Sequence, residues 1–392
     1  MHQYFSVMQE NLVWAIQALT KVIESNPKLP ALGHIYFRAE GSRITMQATN
    51  LETTMTVYIS GKVDLPIEFC LPAATLSSLV PMLSKERVDF MYDPKVATAR
   101  IHCGSTNTNI KGLDPQYFPY KESDNFTKVT TMPTALLKRM LLLVIPEMAD
   151  NDNRPILMAV HLEFMKKPGD KLIAVTADGF RLGVVQAALD SLESELEVNV
   201  NKVASNALQK TLPDEGAVVI SQDPKGDSLK FSYNNVDVVA GLVDGKYPDF
   251  RAIIPRKSSF EAIVDRKSLE AAVRNALIFS RDSADSVLFK IDTNTNRVQN
   301  AEGAMVVTGT CEIIGRSAER GDTHNLLEIT GTGVTIVSLN AGFVLAAIKN
   351  MNTEDVIIRQ NGLETPVVIV PANAGEILID ETHIVMPMSK PT

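Results

Sequence analysis

The sequence predicts an α+β protein built from three repeats of one domain, each holding two helices and a set of antiparallel strands. Three observations carry this. FSVMQENLVWAIQALTKVI from Phe5, FTKVTTMPTALLKRMLLLVI from Phe126 and FEAIVDRKSLEAAVRNALIF from Phe260 each read as a strand running into a helix with one apolar face. Aligned on Leu12, Leu137 and Leu269, they recur at roughly 125–135 residues, the size of a domain rather than of a solenoid unit. A second set, CLPAATLSSLVPML from Cys70, VNVNKVASNALQKTL from Val198 and VSLNAGFVLAAIKNM from Val337, again places a strand end before a helix, followed by RVDFMY, GAVVIS and DVIIRQ. A third set, ATNLETTMTV, TADGFRLGVV and NAEGAMVVTG, falls between the helices. The implied domains are 1–125, 126–255 and 256–392, and three like domains in one chain imply a body generated by rotation, such as an arc or half of a ring.

Each element has a local reason. In the first helix Leu12, Ala15, Ile16, Leu19 and Ile23 fall on one face, and in the third repeat Leu269, Ala272, Val273 and Ala276 repeat that spacing. Asp265 is placed to cap a helix, Pro133 to occupy a first helical turn, and Pro81 and Pro146 to end or kink theirs. MTVYIS, LIAVTA and MVVTGTCEII are rich in Val, Ile and Thr, as strands require. The Asp178-Gly179 pair reads as a tight hairpin turn rather than as a catalytic acid. The domain joints, near PYKESDNF and IPRKSSF, are short and carry no flexible-linker composition.

Composition narrows the function. At 392 residues and 45% hydrophobic content, the chain can bury several cores. No apolar run approaches the ~20 residues of a membrane span, so no membrane role is expected. Cys70, Cys103 and Cys311 are scattered with no paired spacing, which fits reduced thiols and a cytoplasmic protein. His2, His34, His102, His161, His324 and His383 show no metal-ligand spacing, and several read as structural histidines within strands. There is no nucleophile elbow, Walker loop or dinucleotide fingerprint, so neither a cofactor nor a catalytic group is expected. The competing reading is a repeat-built, β-rich enzyme or ligand-binding protein with a site assembled from loops.

The charge on the helices is uneven. Read as about 10–23, 72–85, 133–145, 201–212, 266–281 and 340–350, the six helices hold only Glu10 and Glu270 among acids. Their bases are Lys21, Lys85, Lys138, Arg139, Lys202, Lys210, Arg266, Lys267, Arg274, Arg281 and Lys349. That is a surplus of about nine positive charges on a chain of net charge −8. Lysines decorating solvated faces would account for any single helix. Across all six, the bias points to one shared surface that faces a polyanion, with an acidic remainder that repels nucleic acid elsewhere.

This plan, with TADGFRL (176–182), GKYPDFRAIIP (245–255), RPILMAVHLEF (154–164) and IVMPM (384–388), resembles the bacterial DNA polymerase III beta subunit family of sliding clamps over essentially the whole chain. The resemblance implies the DNA-clamp fold, with helices inside and antiparallel sheets outside, and two chains closing head to tail into a six-domain ring. It implies a non-catalytic processivity factor that encircles double-stranded DNA without reading sequence. The helix cations above would face that DNA. Loosely placed Lys and Arg give attraction without base readout, so the ring slides while topology holds it on.

The resemblance further implies partners: a replicative polymerase, a clamp loader, and repair polymerases and other proteins that carry short clamp-binding peptides. Their peptides would enter an apolar pocket formed by Leu157, Ala177, Gly179, Phe180, Arg181, Leu182, Pro248, Ile253, Ile384, Met386, Pro387 and Met388. The C-terminal strand would offer an open backbone edge to the peptide. At the dimer interface, Ile278 and Phe279 would meet the partner's first domain near Thr108. Some positions depart from the family pattern. Phe180 stands where His is common, Ala252 where some members have Arg, Ala177 where Thr is common and Thr108 where an apolar residue is common. Ser-Lys-Pro-Thr extends the chain past Met388.

Overall fold

The structure, a computed structural model, describes residues 2–120, 122, 125–150, 154–299, 305–362, 364–372 and 379–388. Six α-helices lie among them: α1 (Gln9–Leu19), α2 (Ala73–Leu79), α3 (Thr134–Val144), α4 (Lys202–Thr211), α5 (Arg266–Ser280) and α6 (Ala341–Lys349). Each begins on the residue after a strand ends, the strands being His2–Met8, Ile67–Pro72, Thr127–Pro133, Leu196–Asn201, Phe260–Asp265 and Val334–Asn340. The last strand residue therefore doubles as the cap. Asn201, Asp265 and Asn340 accept from the N–H groups of Ala204, Ser268 and Phe343, satisfying donors that the helix start leaves open.

Several boundaries differ from the sequence reading. α1 stops at Leu19, because the N–H groups of Lys21 and Val22 reach back only three residues, to Ala18 and Leu19, and tighten the chain into a turn. α2 stops at Leu79, where a 3-10 turn, Val80–Met82, accommodates Pro81. Lys21 and Lys85 consequently sit in turns beyond their helices. Pro133 is the last residue of its strand, opposite Ala217, rather than in a first helical turn. Pro146 lies in the 3-10 turn Ile145–Glu147 that follows α3, as expected.

The third set of echoes is misaligned. ATNLETT and TADGFRL make the turns before Thr53–Ser60 and Arg181–Ala188, each the third strand after the first helix of its repeat. NAEGAM falls one hairpin earlier, between Ser286–Gln299 and Met305–Ser317, with residues 300–304 outside the described ones. By strand order the true counterpart is the turn between Met305–Ser317 and Gly321–Thr332. Glycine turns recur at many hairpins, so the match in composition pointed to the wrong one.

The chain forms two compact units, residues 1–139 with 190–243, and residues 140–189 with 244–392. In the first unit an eight-stranded sheet runs in the order 127–133, 217–222, 228–233, 236–241, 53–60, 43–49, 34–40, 67–72. At its middle, strands of the first and second repeats pair directly and antiparallel, Val236 opposite Val57 through Ala240 opposite Thr53. A five-stranded sheet, 62–63, 2–8, 87–93, 98–103, 106–111, completes this unit. Between the two sheets Phe5, Phe90, Phe37, Phe69 and Tyr92 stack at centroid distances such as 4.6 Å for Phe5–Phe90 and 4.9 Å for Phe69–Tyr92.

In the second unit the strands run 159–165, 171–177, 181–188, 379–385, 367–371, 355–360, 260–265, 321–332, 305–317, 286–299, 334–340. The second and third repeats again meet by antiparallel strand pairing, Arg181 opposite Val385 through Ala187 opposite Ile379. α5 and α6 cover a core of Leu269, Val273, Phe289, Ile313, Leu339 and Ile348. Gly331, at φ +146°, lets the end of its strand cross Phe260–Asp265, since a Cβ there would lie 2.0 Å from the Glu261 carbonyl oxygen.

The first seam has a polar fastening. Buried Asn201 caps α4, accepts from Thr53 Oγ1 at 3.0 Å and donates to the Gly241 carbonyl at 2.9 Å. Asn201→Ala removes the cap and leaves the buried Thr53 hydroxyl and the half-buried Gly241 carbonyl without this partner. We expect a loss of about 2–3 kcal/mol, read by urea unfolding. Asn201→Asp keeps the cap and should lose less. A loss for the alanine variant below about 1 kcal/mol would remove this residue from the seam's account.

Candidate functional site

The residues expected to form a pocket gather in the second unit, and they separate into a floor and a rim. Leu157, Leu182 and Ile384 are buried in a cluster with Ile173, Val175, Tyr247, Phe250 and Val368. Ala177, Ile254 and Val370 pack at its margin. Above this floor Phe180 is 66% exposed, Ile253 43% and Met386 37%, with Pro248 and Gly179 exposed and Pro387 and Met388 half-buried. Isolated large apolar groups on a surface are ordinary, but Phe180 and Met386 each stand two residues from a buried member of the cluster, Leu182 and Ile384, and Ile253 adjoins Ile254 at its margin.

The hairpin turn is built by Asp178. Its Oδ1 accepts from the N–H groups of Phe180 (2.8 Å) and Arg181 (3.0 Å), and its Oδ2 accepts from Arg181 Nε at 2.8 Å. Gly179 takes φ +92°, which closes the turn and turns Phe180 outward. The Arg181 guanidinium lies over the ring of Phe343, in the first turn of α6, at 4.5 Å. The expected open edge is absent: 379–385 is paired on one side with 181–188 and on the other with 367–371. Past Val385, the N–H of Met386 donates to the Phe180 carbonyl at 2.9 Å and that of Met388 to the Ser338 carbonyl at 2.8 Å. The C-terminal segment is thereby tied down as a wall. Ser389–Thr392 lie outside the described residues.

The segment 247–254, which carries Pro248 and Ile253, is held by a fastening that sequence reasoning missed. Arg251 forks onto Glu163, Nη1 to Oε1 at 2.8 Å and Nη2 to Oε2. The guanidinium also covers the Phe250 ring at 4.4 Å. Glu163 Oε1 lies 3.3 Å from His161 Nε2, and the His161 ring stacks on Tyr247 at 4.6 Å. These contacts hold residues 247–254, and with them Pro248 and Ile253, against the strand Ala159–Met165. His161 and His383 are both buried and hydrogen-bonded to carboxylates; His383 Nδ1 meets Glu147 Oε1 at 3.0 Å in the interior. Gly183 makes room for that carboxylate, since a Cβ there would stand 2.9 Å from Glu147 Oε2. Only the two-residue spacing of His161 and Glu163 on one strand face hinted at this network.

The expected DNA-facing cations are not equivalent. Lys138 pairs with Asp214 at 2.7 Å, Lys85 with Glu10 at 3.5 Å and Arg274 with Glu270 at 2.6 Å. Arg266 reaches Glu270 at 3.7 Å and donates to the Thr353 carbonyl. Arg139 and Lys202 are half-buried. Lys21, Lys210, Lys267, Arg281 and Lys349 are exposed and have no ion pair among the described residues. Thr108 is half-buried in the strand Thr106–Lys111, while Ile278 is 55% exposed and Phe279 half-buried in the last turn of α5. Among the described residues no group of His, Cys, Asp and Glu could hold a metal ion, and no helix is long and apolar enough to cross a membrane.

Comparison with known proteins agrees with this architecture. Residues 3–122 match the family model of the DNA polymerase III beta subunit, N-terminal domain, and residues 131–249 that of its central domain. The chain belongs to the DNA polymerase III beta subunit family. The beta sliding clamp of Synechococcus elongatus is 24% identical over 387 residues, 97% of each chain, and that of Bacillus subtilis 22% over 383 residues, 95% of this chain and 97% of that one. The crystal structure of the beta subunit from Thermotoga maritima superposes over 100% of both chains at a TM-score of 0.88 and 22% identity. The sliding clamp of Bacillus subtilis does so at 0.86 and 21%. The beta subunit family is a non-catalytic processivity factor, a DNA sliding clamp for the polymerase, and this chain has the clamp fold.

Burial works to raise the Glu163 carboxyl, but the hydrogen bonds and charge of Arg251, aided by His161, outweigh it and hold the group below its ordinary value. A carboxyl lowered in the folded state adds stability above its unfolded pKa, and that contribution is lost as pH falls through the folded pKa. Arg251→Met should therefore cost roughly 1.5–3 kcal/mol at pH 7, and the gap to the unaltered protein should close as pH falls from 7 through the ordinary carboxylate range and then through the lowered value of the folded state. Urea unfolding at both ends of that range reads it. A gap of constant size would place the effect in packing on Phe250 instead.

Proposed function

We propose that two copies of this chain close head to tail around duplex DNA, and that the rim above the apolar floor receives short linear peptides. The peptides would come from a replicative polymerase, its clamp loader and repair proteins, in the cytoplasm. The observation that carries the ring is a repeated seam. The third strand after the first helix of one repeat (53–60, 181–188) pairs with the last described strand of the next (236–241, 379–385). Two strands in those same positions remain: 321–332 in the third repeat and 106–111 in the first. Among the described residues, the edge of 321–329 away from 305–317 has no ladder partner, and 106–111 pairs only with 98–103.

Edges of this kind invite pairing with another chain. If 321–329 of one copy meets 106–111 of another by the rule the chain already uses twice, two copies of domains 1–125, 126–255 and 256–392 give six domains in rotation. A head-to-tail contact either closes or grows into a filament, and the family is a ring. That strand also bears an apolar side chain, Leu326, that is 68% exposed, and just before the strand Arg320 donates to the Ile278 carbonyl at 3.4 Å. On this reading Ile278, Phe279 and Thr108 lie at the joint.

Within the ring, the unpaired cations Lys21, Lys210, Lys267, Arg281 and Lys349 would supply most of the attraction to phosphate, and the ion-paired ones less. The pocket reading rests on exposed Phe180, Ile253 and Met386 standing one or two residues from Leu182, Ile254 and Ile384 of the apolar cluster and its margin, with Met386 and Met388 able to re-pack around differing Leu and Phe side chains. Phe180 makes the rim more apolar than a histidine would.

Two experiments decide the ring and its hold on DNA. Loaded protein should stay on closed circular DNA through a salt wash and leave linearised DNA by its ends. Lys210→Glu with Lys267→Glu and Arg281→Glu should reduce loading without changing the melting temperature. Equal retention on both templates would overturn the sliding mechanism. Separately, Ile278→Asp with Phe279→Asp should turn a dimer into folded monomers by sedimentation; an intact dimer would show that the joint lies elsewhere.

A further inference from the structure

Beside the apolar floor lies a cleft of about 380 Å³ that the pocket reading leaves unused. Ile254, Val368 and Val370 form its apolar side, and these same residues belong to or flank the floor cluster. Arg256, Lys257 and Arg359 form its lip. Arg359 is committed through Nε to Glu261 at 2.7 Å, so the one carboxylate lining the cleft is already neutralised. Arg256 and Lys257 are exposed and have no ion pair among the described residues. The cleft thus carries two uncompensated positive charges at the end of an apolar surface.

We propose that this cleft is a second subsite, taking acidic residues that flank the apolar anchor of a partner peptide; the proposal rests on the peptide-pocket reading above. The spacing is set by the sheet. Leu182 stands opposite Ile384, and Ile384 opposite Val368, so the cleft begins two strand spacings, roughly 10 Å, from Leu182. An extended peptide covers that span in about three residues. A carboxylate placed there meets Arg256 and Lys257, while the peptide's apolar stem rests on Val368 and Val370. A DNA backbone fits less well. The site is concave with an apolar side, whereas phosphates are met better by cations on open faces such as those of Lys210 and Lys267.

The test uses the full chain and three fluorescent peptides sharing one Leu-Phe anchor: a neutral one, one with two Asp residues three positions before the anchor, and one with them three positions after. One acidic peptide should bind the unaltered protein roughly 3- to 10-fold tighter than the neutral peptide, as expected for two rim ion pairs. The gain should vanish in Arg256→Glu with Lys257→Glu, and in high salt, while the neutral peptide binds both proteins alike. No gain for either acidic peptide, or a gain that survives the double substitution, overturns the subsite and leaves the pocket standing. A variant that binds all peptides normally but is lost from circular DNA assigns the cleft to nucleic acid and overturns the proposal. Failure of the neutral peptide to bind at all overturns the pocket reading, and this subsite with it.

Discussion

Backbone hydrogen bonding along strand edges is the constraint from which the rest of this molecule follows. A sheet that ends in water exposes a row of donors and acceptors, and proteins must cover, charge or use that row. Here it is used. The strand 53–60 is closed by 236–241, and 181–188 by 379–385, so strands that lie roughly 180–200 residues apart in sequence become neighbours and successive repeats become continuous sheets. No flexible linker is needed, because the joint is a ladder rather than a tether. The buried amide of Asn201 shows how closely the first seam is specified: one side chain serves the helix start, a strand of the first repeat and a strand of the second.

The second unit puts the same device to a different use. The 181–188 strand brings Phe180 and Leu182, the 379–385 strand brings Ile384 and Met386, and the loop 247–254 is fastened by Arg251 on Glu163. The rim is apolar and exposed, yet its backbone is held by hydrogen bonds at Asp178, Met386 and Met388. A surface of this kind loses little order on binding, since its segments are positioned before any ligand arrives.

Much of this was legible in the chain, and what was not has a physical reason. The strand-to-helix repeats declared themselves because periodicity, caps and prolines act over a few residues; Asp265, Pro81 and Pro146 stand as expected. Helix ends were overrun at Lys21 and Lys85, since a turn that tightens to three-residue hydrogen bonds keeps the apolar spacing of a helix for a few residues more. The division of the pocket into floor and rim was not legible. Burial of Leu182 and Ile384 depends on their pairing across some 200 residues, and the Arg251–Glu163 contact spans 88. The continuation of both sides of the C-terminal strand into a sheet likewise follows from tertiary pairing, so the strand read as an edge when it is interior.

The coincidence of seam and floor has a consequence for anyone dividing the molecule. Leu182 and Ile384 are register partners, and they also belong to the apolar cluster that floors the proposed pocket. Excising the central repeat would strip away its partner strand, open the apolar floor to water and leave an adhesive edge in its place. The apolar cluster and the rim beside it are therefore not a module that can be shortened, grafted or expressed by itself. They are a property of two repeats joined, and they come into being only when the seam does.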